Sequence, residues 1–303
     1  MIKILILGRT QFLYNTAVKI SEELSKVAVC GIVTAKAAPE YTKKEKDFFE
    51  LASKIGVPFF TSLKDKNLCE YLKKVKVDIG VSVNWPLIIG EDFIKLFKLG
   101  VLNAHMGDLP RYRGNACPNW AIINGEEKVA LTVHLMEGGK LDCGRVIFQS
   151  YFNVNENTYI EDIYSWAEKE IPRLFCKAID ILKDNPGYSL KYVSENDPES
   201  LRCYPRRPED GKIDWDRDAE YIHRLIRASG YPFAGAFSFL DGKEKITIWR
   251  AELYDDGEKF LAVPGQIAEL GKNYFVVITG KGKLKITKWD CKSLICSIRQ
   301  RLI

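Results

Sequence analysis

Long apolar runs are missing from this 303-residue chain. None reaches the roughly 18 consecutive apolar residues that a membrane-crossing helix needs, so no helical membrane span is expected. Paired metal-binding cysteines are missing as well. The 8 cysteines are scattered at Cys30, Cys69, Cys117, Cys143, Cys176, Cys203, Cys291 and Cys296. No Cys-x-x-Cys occurs and no histidine spacing suits zinc, so no metal is assigned. Several of these cysteines sit in apolar runs, as buried free thiols do, and such usage suits a reducing cytoplasm. A Gly-x-Gly-x-x-Gly is absent after the first strand, which removes the dinucleotide fingerprint from its usual place. Internal repeats and low-complexity tracts are absent too. Histidine is scarce: His105, His134 and His223 are the only three, so imidazole chemistry has few places to occur.

What is present is a soluble globular composition, 46% apolar and 28% charged, on a chain long enough for one large core or two ordinary domains. The net charge of +5 fits an anionic small substrate and is too weak to argue for nucleic acid by itself. Met1–Gly8 carries a short apolar run with no small-residue cleavage site after it, so it reads as a first strand rather than a signal peptide.

The first half alternates short apolar runs (2–7, 27–33, 57–60, 78–83 and 101–105) with helical patterns at 17–24, 45–55 and 67–75. That alternation predicts βαβ units and a mainly parallel sheet. Strand-like runs at 130–136 and 145–152 follow, then a long helix over about 160–182. A loop-rich stretch from Asp184 to Lys212 reads as a linker. After a helix at 218–228, short strands at 235–240, 245–252, 265–270, 274–279 and 284–289 predict a small all-β domain of barrel type. The expected domains are 1–190, a linker at 191–211, and 212–303.

The chemistry concentrates at Asn103-Ala-His105, where the fifth strand candidate ends, the position at which α/β sheets place their sites. Asp142 lies in the glycine-bracketed turn Gly138–Gly144. An amide, an imidazole and a carboxylate without a covalent nucleophile suit direct acyl transfer. Asn103 and His105 would hold an oxyanion, and the His105–Asp142 pair would move a proton. The bland reading of Asn103 and His105 is a satisfied polar pair at a strand end. His134, in an alternating strand run, reads as structural. Arg111, Tyr112 and Arg113 read either as solvated surface or as a basic lip that favours phosphate oxygens. Arg202, Arg206 and Arg207 carry the same two readings, and Arg224 and Arg227 could also face a cleft. Tyr204 and Trp215 could stack on a base or pin the linker. Ser82, Val83, Asn84, Trp85, Pro86, Leu87 and Ile88 read as ordinary core plus turn, or as an apolar wall gripping a flat heterocycle.

With these residues assembled, the chain resembles the N10-formyltetrahydrofolate-dependent formyltransferases along nearly its whole length. Asn103, His105 and Asp142 match the family's catalytic Asn, His and Asp. Leu109-Pro110-Arg111-Tyr112-Arg113-Gly114 matches its Ser-Leu-Leu-Pro-(Arg/Lys)-aromatic-Arg-Gly loop, with Gly107-Asp108 in place of the usual Ser-Leu. Trp120–Glu126 continues the match, and Pro264-Gly265-Gln266-Ile267 resembles the entry to the C-terminal barrel of several members. The resemblance implies a Rossmann-like formyltransferase domain followed by a small barrel. It implies folate along Ser82–Ile88 and the loop Gly107, Asp108, Leu109 and Pro110, with N10-formyltetrahydrofolate giving its formyl group to a neutral primary amine.

The loop Thr34–Thr42 lacks the arginine/glycine pattern of the initiator-tRNA members. Asn119-Trp120 resembles members that formylate nucleotide-linked amino sugars for lipid A and O-antigen biosynthesis, where the tRNA enzymes carry Gln-Arg. The expected acceptor is therefore a nucleoside-diphosphate-linked amino sugar, with Arg111, Tyr112, Arg113, Asn119, Trp120, Arg202, Tyr204 and Arg206 as candidate contacts. No nucleic-acid or membrane partner is expected, and a homodimer is a candidate state. The rival readings are a methionyl-tRNA formyltransferase, a folate- or nucleotide-binding protein without turnover, and a hydrolase releasing formate.

Overall fold

β1 (Ile2–Gly8) is apolar along its middle, with Ile4 to Leu7 fully buried. A run of that kind belongs in a sheet covered on both faces. The structure, a computed structural model, describes residues 1–24, 26–38, 41–292 and 297–303. Cys296 and the Pro39-Glu40 step of the loop after the second strand lie outside the described residues.

From β1 the chain continues through α1 (Thr10–Glu23), β2 (Val27–Thr34), α2 (Glu45–Ile55), β3 (Phe59–Phe60), α3 (Lys66–Val75), β4 (Ile79–Val83), α4 (Glu91–Ile94) and β5 (Gly100–His105). Then come β6 (Tyr112–Gly114), α5 (Cys117–Ile123), β7 (Lys128–Met136), β8 (Gly144–Asn153), α6 (Ile160–Asp184), β9 (Lys191–Val193) and β10 (Leu201–Cys203). The last elements are α7 (Ala219–Ser229), β11 (Ala236–Leu240), β12 (Glu244–Tyr254), β13 (Ile267–Leu270), β14 (Phe275–Ile278) and β15 (Lys283–Asp290). They divide into two compact units. One comprises Met1–Gly114, Val129–Phe152 and Tyr164–Cys203; the other comprises Asn115–Lys128, Asn153–Ile163 and Tyr204–Ile303.

The first unit holds an eight-stranded sheet in the order β3-β2-β1-β4-β5-β7-β8-β9. The pairs β1–β2, β1–β4, β2–β3 and β4–β5 are parallel, whereas β5–β7 and β8–β9 are antiparallel. The order reverses between β1 and β4, which opens a crevice beyond the carboxyl ends of these strands. Gly8 closes that end: its φ is +135°, and a Cβ there would come within 2.0 Å of Val83 O. The backbone approach, not a phosphate cradle, requires the glycine. The β5–β7 register pairs Asn103 with His134 and His105 with Thr132. Leu102, Ala104, Leu131, Val133 and Leu135 belong to the apolar core. Side chains alternate along a strand, so Asn103 and His105 share the opposite face with His134 and Thr132.

The second unit joins α5 and α7 to an antiparallel sheet in the order β11-β12-β15-β14-β13. Its two edges are bridged by the last residues, Arg301 opposite Gln266 and Leu302 opposite Leu240. Ile303 N donates to Phe239 O at 2.9 Å and Phe239 N donates back to Ile303 O at 3.0 Å. The tail thereby links the two edge strands of the sheet and covers part of each exposed edge. Trp215 Nε1 donates to Ser238 Oγ at 2.9 Å, and the ring is buried, so this residue pins the barrel interior rather than offering a stacking face.

Two differences from the sequence reading have local causes. α1 begins at Thr10 rather than near Ala17. Leu13, Ala17 and Ile20 make a buried stripe, but Tyr14, Asn15 and Thr16 are weak helix formers that mask its start. The last crossing between the units falls after Cys203, within the expected linker 191–211, and part of that linker is strand. β9 pairs with β8, and β10 pairs with β6. Each of these three-residue strands buries a single side chain, Val193 or Cys203, too few to show a period.

Leu302 is almost fully buried at the barrel seam. Leu302→Ala should lower unfolding stability by about 2–5 kcal/mol, measured by urea titration with an intrinsic-tryptophan probe. An unchanged midpoint would contradict a structural role for the link.

Candidate active site

The end of β5, the loop that follows it and the turn before β8 come together in the first unit. His105 is buried, with Nε2 2.7 Å from Tyr112 O and Nδ1 3.6 Å from Asp142 Oδ1. Each ring nitrogen thus faces an acceptor. A ring carrying protons on both nitrogens finds a partner for each. Gly107 permits this arrangement: a Cβ there would lie 2.3 Å from both His105 Nε2 and Tyr112 O.

Asp142 adopts φ +47°, a left-handed conformation unusual for a side-chain-bearing residue. Its Oδ2 accepts from Gly114 N at 2.8 Å, leaving Oδ1 directed at the imidazole. Asn103 is half-buried, and its Nδ2 lies 3.3 Å from His134 Nε2. His134 is buried, and burial pushes its pKa down to about 4; the nearby Asp142 raises it and His105 lowers it further. A neutral His134 therefore orients the Asn103 amide. Spacing along the sequence could not reveal this contact, because it depends on the β5–β7 register. His223, in the other unit, is likewise held neutral by burial, with a pKa near 4, and its Nε2 lies 3.0 Å from Ala251 O.

The Gly107–Pro110 loop is fixed from β7 and β8. Thr132 Oγ1 donates to Gly107 O at 2.7 Å. Gln149 Nε2 reaches Asp108 Oδ1 at 3.2 Å, Leu109 O at 3.0 Å and Thr132 Oγ1 at 3.0 Å, and Tyr151 OH donates to Asp108 Oδ1 at 3.2 Å. The Tyr151 phenol is pushed up by burial and by the Asp108 carboxylate. Asp108 departs from the pattern of the similar loops, and here its charge latches the loop.

Several residues expected to touch ligands are placed elsewhere. Ser82 and Val83 are buried within β4, so their side chains lie in the sheet rather than on a binding wall. Leu109 is fully buried in a cluster with Val146 and Val193. The Tyr112 ring is buried as well. Arg113 is buried, and its guanidinium is occupied by protein acceptors, which removes it from the proposed phosphate lip. Asn119 is buried and donates to Ala228 O at 2.8 Å, tying α5 to α7.

Other expected positions stay accessible. Asn84, Pro86, Leu87 and Ile88 are exposed, Trp85 and Pro110 are half-buried, and Arg111 and Arg202 are exposed. In the second unit Trp120 Nε1 donates to Tyr204 O at 2.9 Å, and the Arg206 guanidinium lies 5.6 Å from the Trp120 ring centroid. Arg206 Nη2 donates to Asp210 O and Ser229 Oγ, whereas its buried Nη1 meets no acceptor among the described residues. Burial lowers the pKa of this guanidinium.

The depressed pKa of His134 has a consequence for stability. The unfolded chain binds its proton near the ordinary value of 6.5, and the folded chain only near 4. Between those values the unfolded state holds more protons, so stability rises with pH and is lost as pH falls from about 6.5 toward 4. The loss from His134 amounts to about 3 kcal/mol. Urea unfolding at pH 7 and pH 4.5 should show that His134→Gln reduces this pH dependence; an identical slope in the variant would refute the assignment.

Comparison with known proteins supplies the family. Residues 2–179 match the formyl transferase family model, and residues 206–296 match the formyl transferase C-terminal domain model. A bifunctional polymyxin resistance protein ArnA of Wigglesworthia glossinidia brevipalpis is 33% identical over 80% of the chain, which spans 36% of that relative's length. A methionyl-tRNA formyltransferase of Agathobacter rectalis is 28% identical over 94% of the chain and 91% of its own length. Among solved structures, the sugar 3N-formyl transferase WlaRD, determined with dTDP and 5-N-formyl-THF, has a TM-score of 0.70 at 21% identity, covering 97% of this chain and 99% of that one. An N-formyltransferase from Helicobacter canadensis, in complex with folinic acid and dTDP-3-aminofucose, has a TM-score of 0.68 at 21% identity, covering 96% and 100%. By these matches the chain belongs to the formyl transferase family and is a formyltransferase.

Proposed function

We propose that this enzyme moves a formyl group from N10-formyltetrahydrofolate to the primary amine of a nucleoside-diphosphate-linked amino sugar, a step in cell-surface glycan assembly. The observation that carries the acceptor reading is the grouping of Trp120, Tyr204 and Arg206 within one unit. An indole face and an exposed phenol offer flat surfaces for a base, beside the charge of the Arg206 guanidinium, which suits a diphosphate. The donor fits exposed apolar positions: Leu87 is 69% and Ile88 57% exposed, beside exposed Asn84. These residues and the Gly107–Pro110 loop would hold the pterin. The donor supplies the activated one-carbon group.

The chain's own residues supply the rest. Asn103 donates a hydrogen bond where negative charge grows on the formyl oxygen, oriented by neutral His134. The acceptor amine must lose a proton as it bonds to carbon. His105 takes it, Asp142 and Tyr112 O flank the charged ring, and the formyl carbon–N10 bond then breaks as the departing N10 takes up a proton in return.

A second reading, methionyl-tRNA formyltransferase, draws on the 28% identity to that enzyme over nearly the full length. Against it stand the modest net charge of +5 and a β2–α2 loop without the arginine/glycine pattern. Purified protein given N10-formyltetrahydrofolate should formylate one or more nucleotide-linked amino sugars and leave charged initiator tRNA unmodified. Turnover with tRNA alone would overturn the acceptor. Asn103→Ala should cut turnover about 10²–10³-fold with little change in nucleotide-sugar affinity, and a near-normal rate would remove its assigned role.

A further inference from the structure

We propose that Arg113 is the positioning residue for Asp142, acting from inside the protein rather than on substrate phosphates. The inference rests on Asp142 serving His105 as described above. Two consecutive residues of β6 grip three consecutive residues of the turn before β8. Arg113 Nη2 donates to Leu141 O at 2.5 Å and to Cys143 Sγ at 3.0 Å, on either side of Asp142. The next residue, Gly114, donates its N–H to Asp142 Oδ2 at 2.8 Å. The guanidinium takes hold of a second segment with its other nitrogen: Nη1 reaches Glu195 O at 2.7 Å and Ser194 O and Ser200 Oγ at 3.5 Å each.

This arrangement explains how Asp142 keeps a left-handed backbone. Such a conformation costs on the order of 1–3 kcal/mol and persists only where its surroundings over-determine it. Arg113 supplies that constraint. Its partners, carbonyls, a hydroxyl and a thiol, serve the two terminal nitrogens, whereas the buried Nε meets no partner among the described residues. Both terminal nitrogens are committed, so a phosphate could engage them only by releasing the turn. Lysine cannot substitute: a single ammonium lacks the planar fork that spans the two segments. Displacement of residues 194–200 would also reach Asp142 through the same guanidinium.

The test is a double-mutant cycle of Arg113→Lys with Asp142→Asn, read by steady-state formylation kinetics. Arg113→Lys alone should lower kcat roughly ten- to a hundredfold with KM within about threefold, as expected for misplacement of a group near the chemistry. In the Asp142→Asn background the same change should cost less than about threefold, since the group it positions is already disabled. A raised KM at unchanged kcat would return Arg113 to substrate binding and overturn the proposal. Equal losses in both backgrounds would overturn it in favour of a general folding role. Near-normal turnover of Asp142→Asn itself would remove the site reading and this inference with it, an outcome distinct from additive losses. If Arg113→Lys does not fold, hydrogen exchange on the unaltered protein decides. The Gly114 amide and the amides of 194–201 should open with one common free energy, and independent opening would contradict the coupling.

Discussion

A carboxylate held in a left-handed turn, 3.6 Å from an imidazole at a strand end, is the contact toward which the rest of the first unit is organised. The turn needs a grip from β6, and β6 needs β10 beside it. The imidazole needs an alanine-flanked strand whose alternate residues fill the core. The amide at Asn103 needs a histidine kept neutral by burial on the next strand. Each requirement is modest alone. Together they bring an amide, an imidazole and a carboxylate into one region, an arrangement that suits direct attack of an amine on a formyl group.

Much of the sheet was legible because its strands are continuous apolar runs, and because α2 buries a helical stripe of Phe48, Leu51 and Ala52. The antiparallel turn of the sheet at β5 and β7 was not legible, since pairing direction leaves no mark on the pattern of either strand. That pairing is what sets His134 against Asn103. Its role could be read from the register but not from its place in Leu131–Met136. The short strands β9 and β10 were hidden for a different reason, as each buries too little to show a period.

The candidate trio of Asn103, His105 and Asp142 stood out because few histidines exist and one ends a strand two residues after an asparagine. The ligand contacts were harder. An arginine in a charged loop looks the same in sequence whether it meets solvent, phosphate or backbone carbonyls, and Arg111 and Arg113 separate only in three dimensions. Ser82 and Val83 read as part of a binding wall because the strand and the exposed loop after it run together as one apolar stretch. The break falls at Asn84, whose φ of +54° turns the chain out of the sheet. Asp108 departs from the usual Ser-Leu start of the similar loops, and Gln149 and Tyr151 on β8 receive its carboxylate.

The account depends most on His105 and Asp142 acting as one proton-handling unit. Single-turnover formyl transfer by His105→Ala, Asp142→Asn and the double variant tests this directly. The account predicts that each single change slows transfer at least about a hundredfold and that the double variant is no more than a few-fold slower than the worse single one. Losses that multiply, or either single variant reacting near the normal rate, would contradict it.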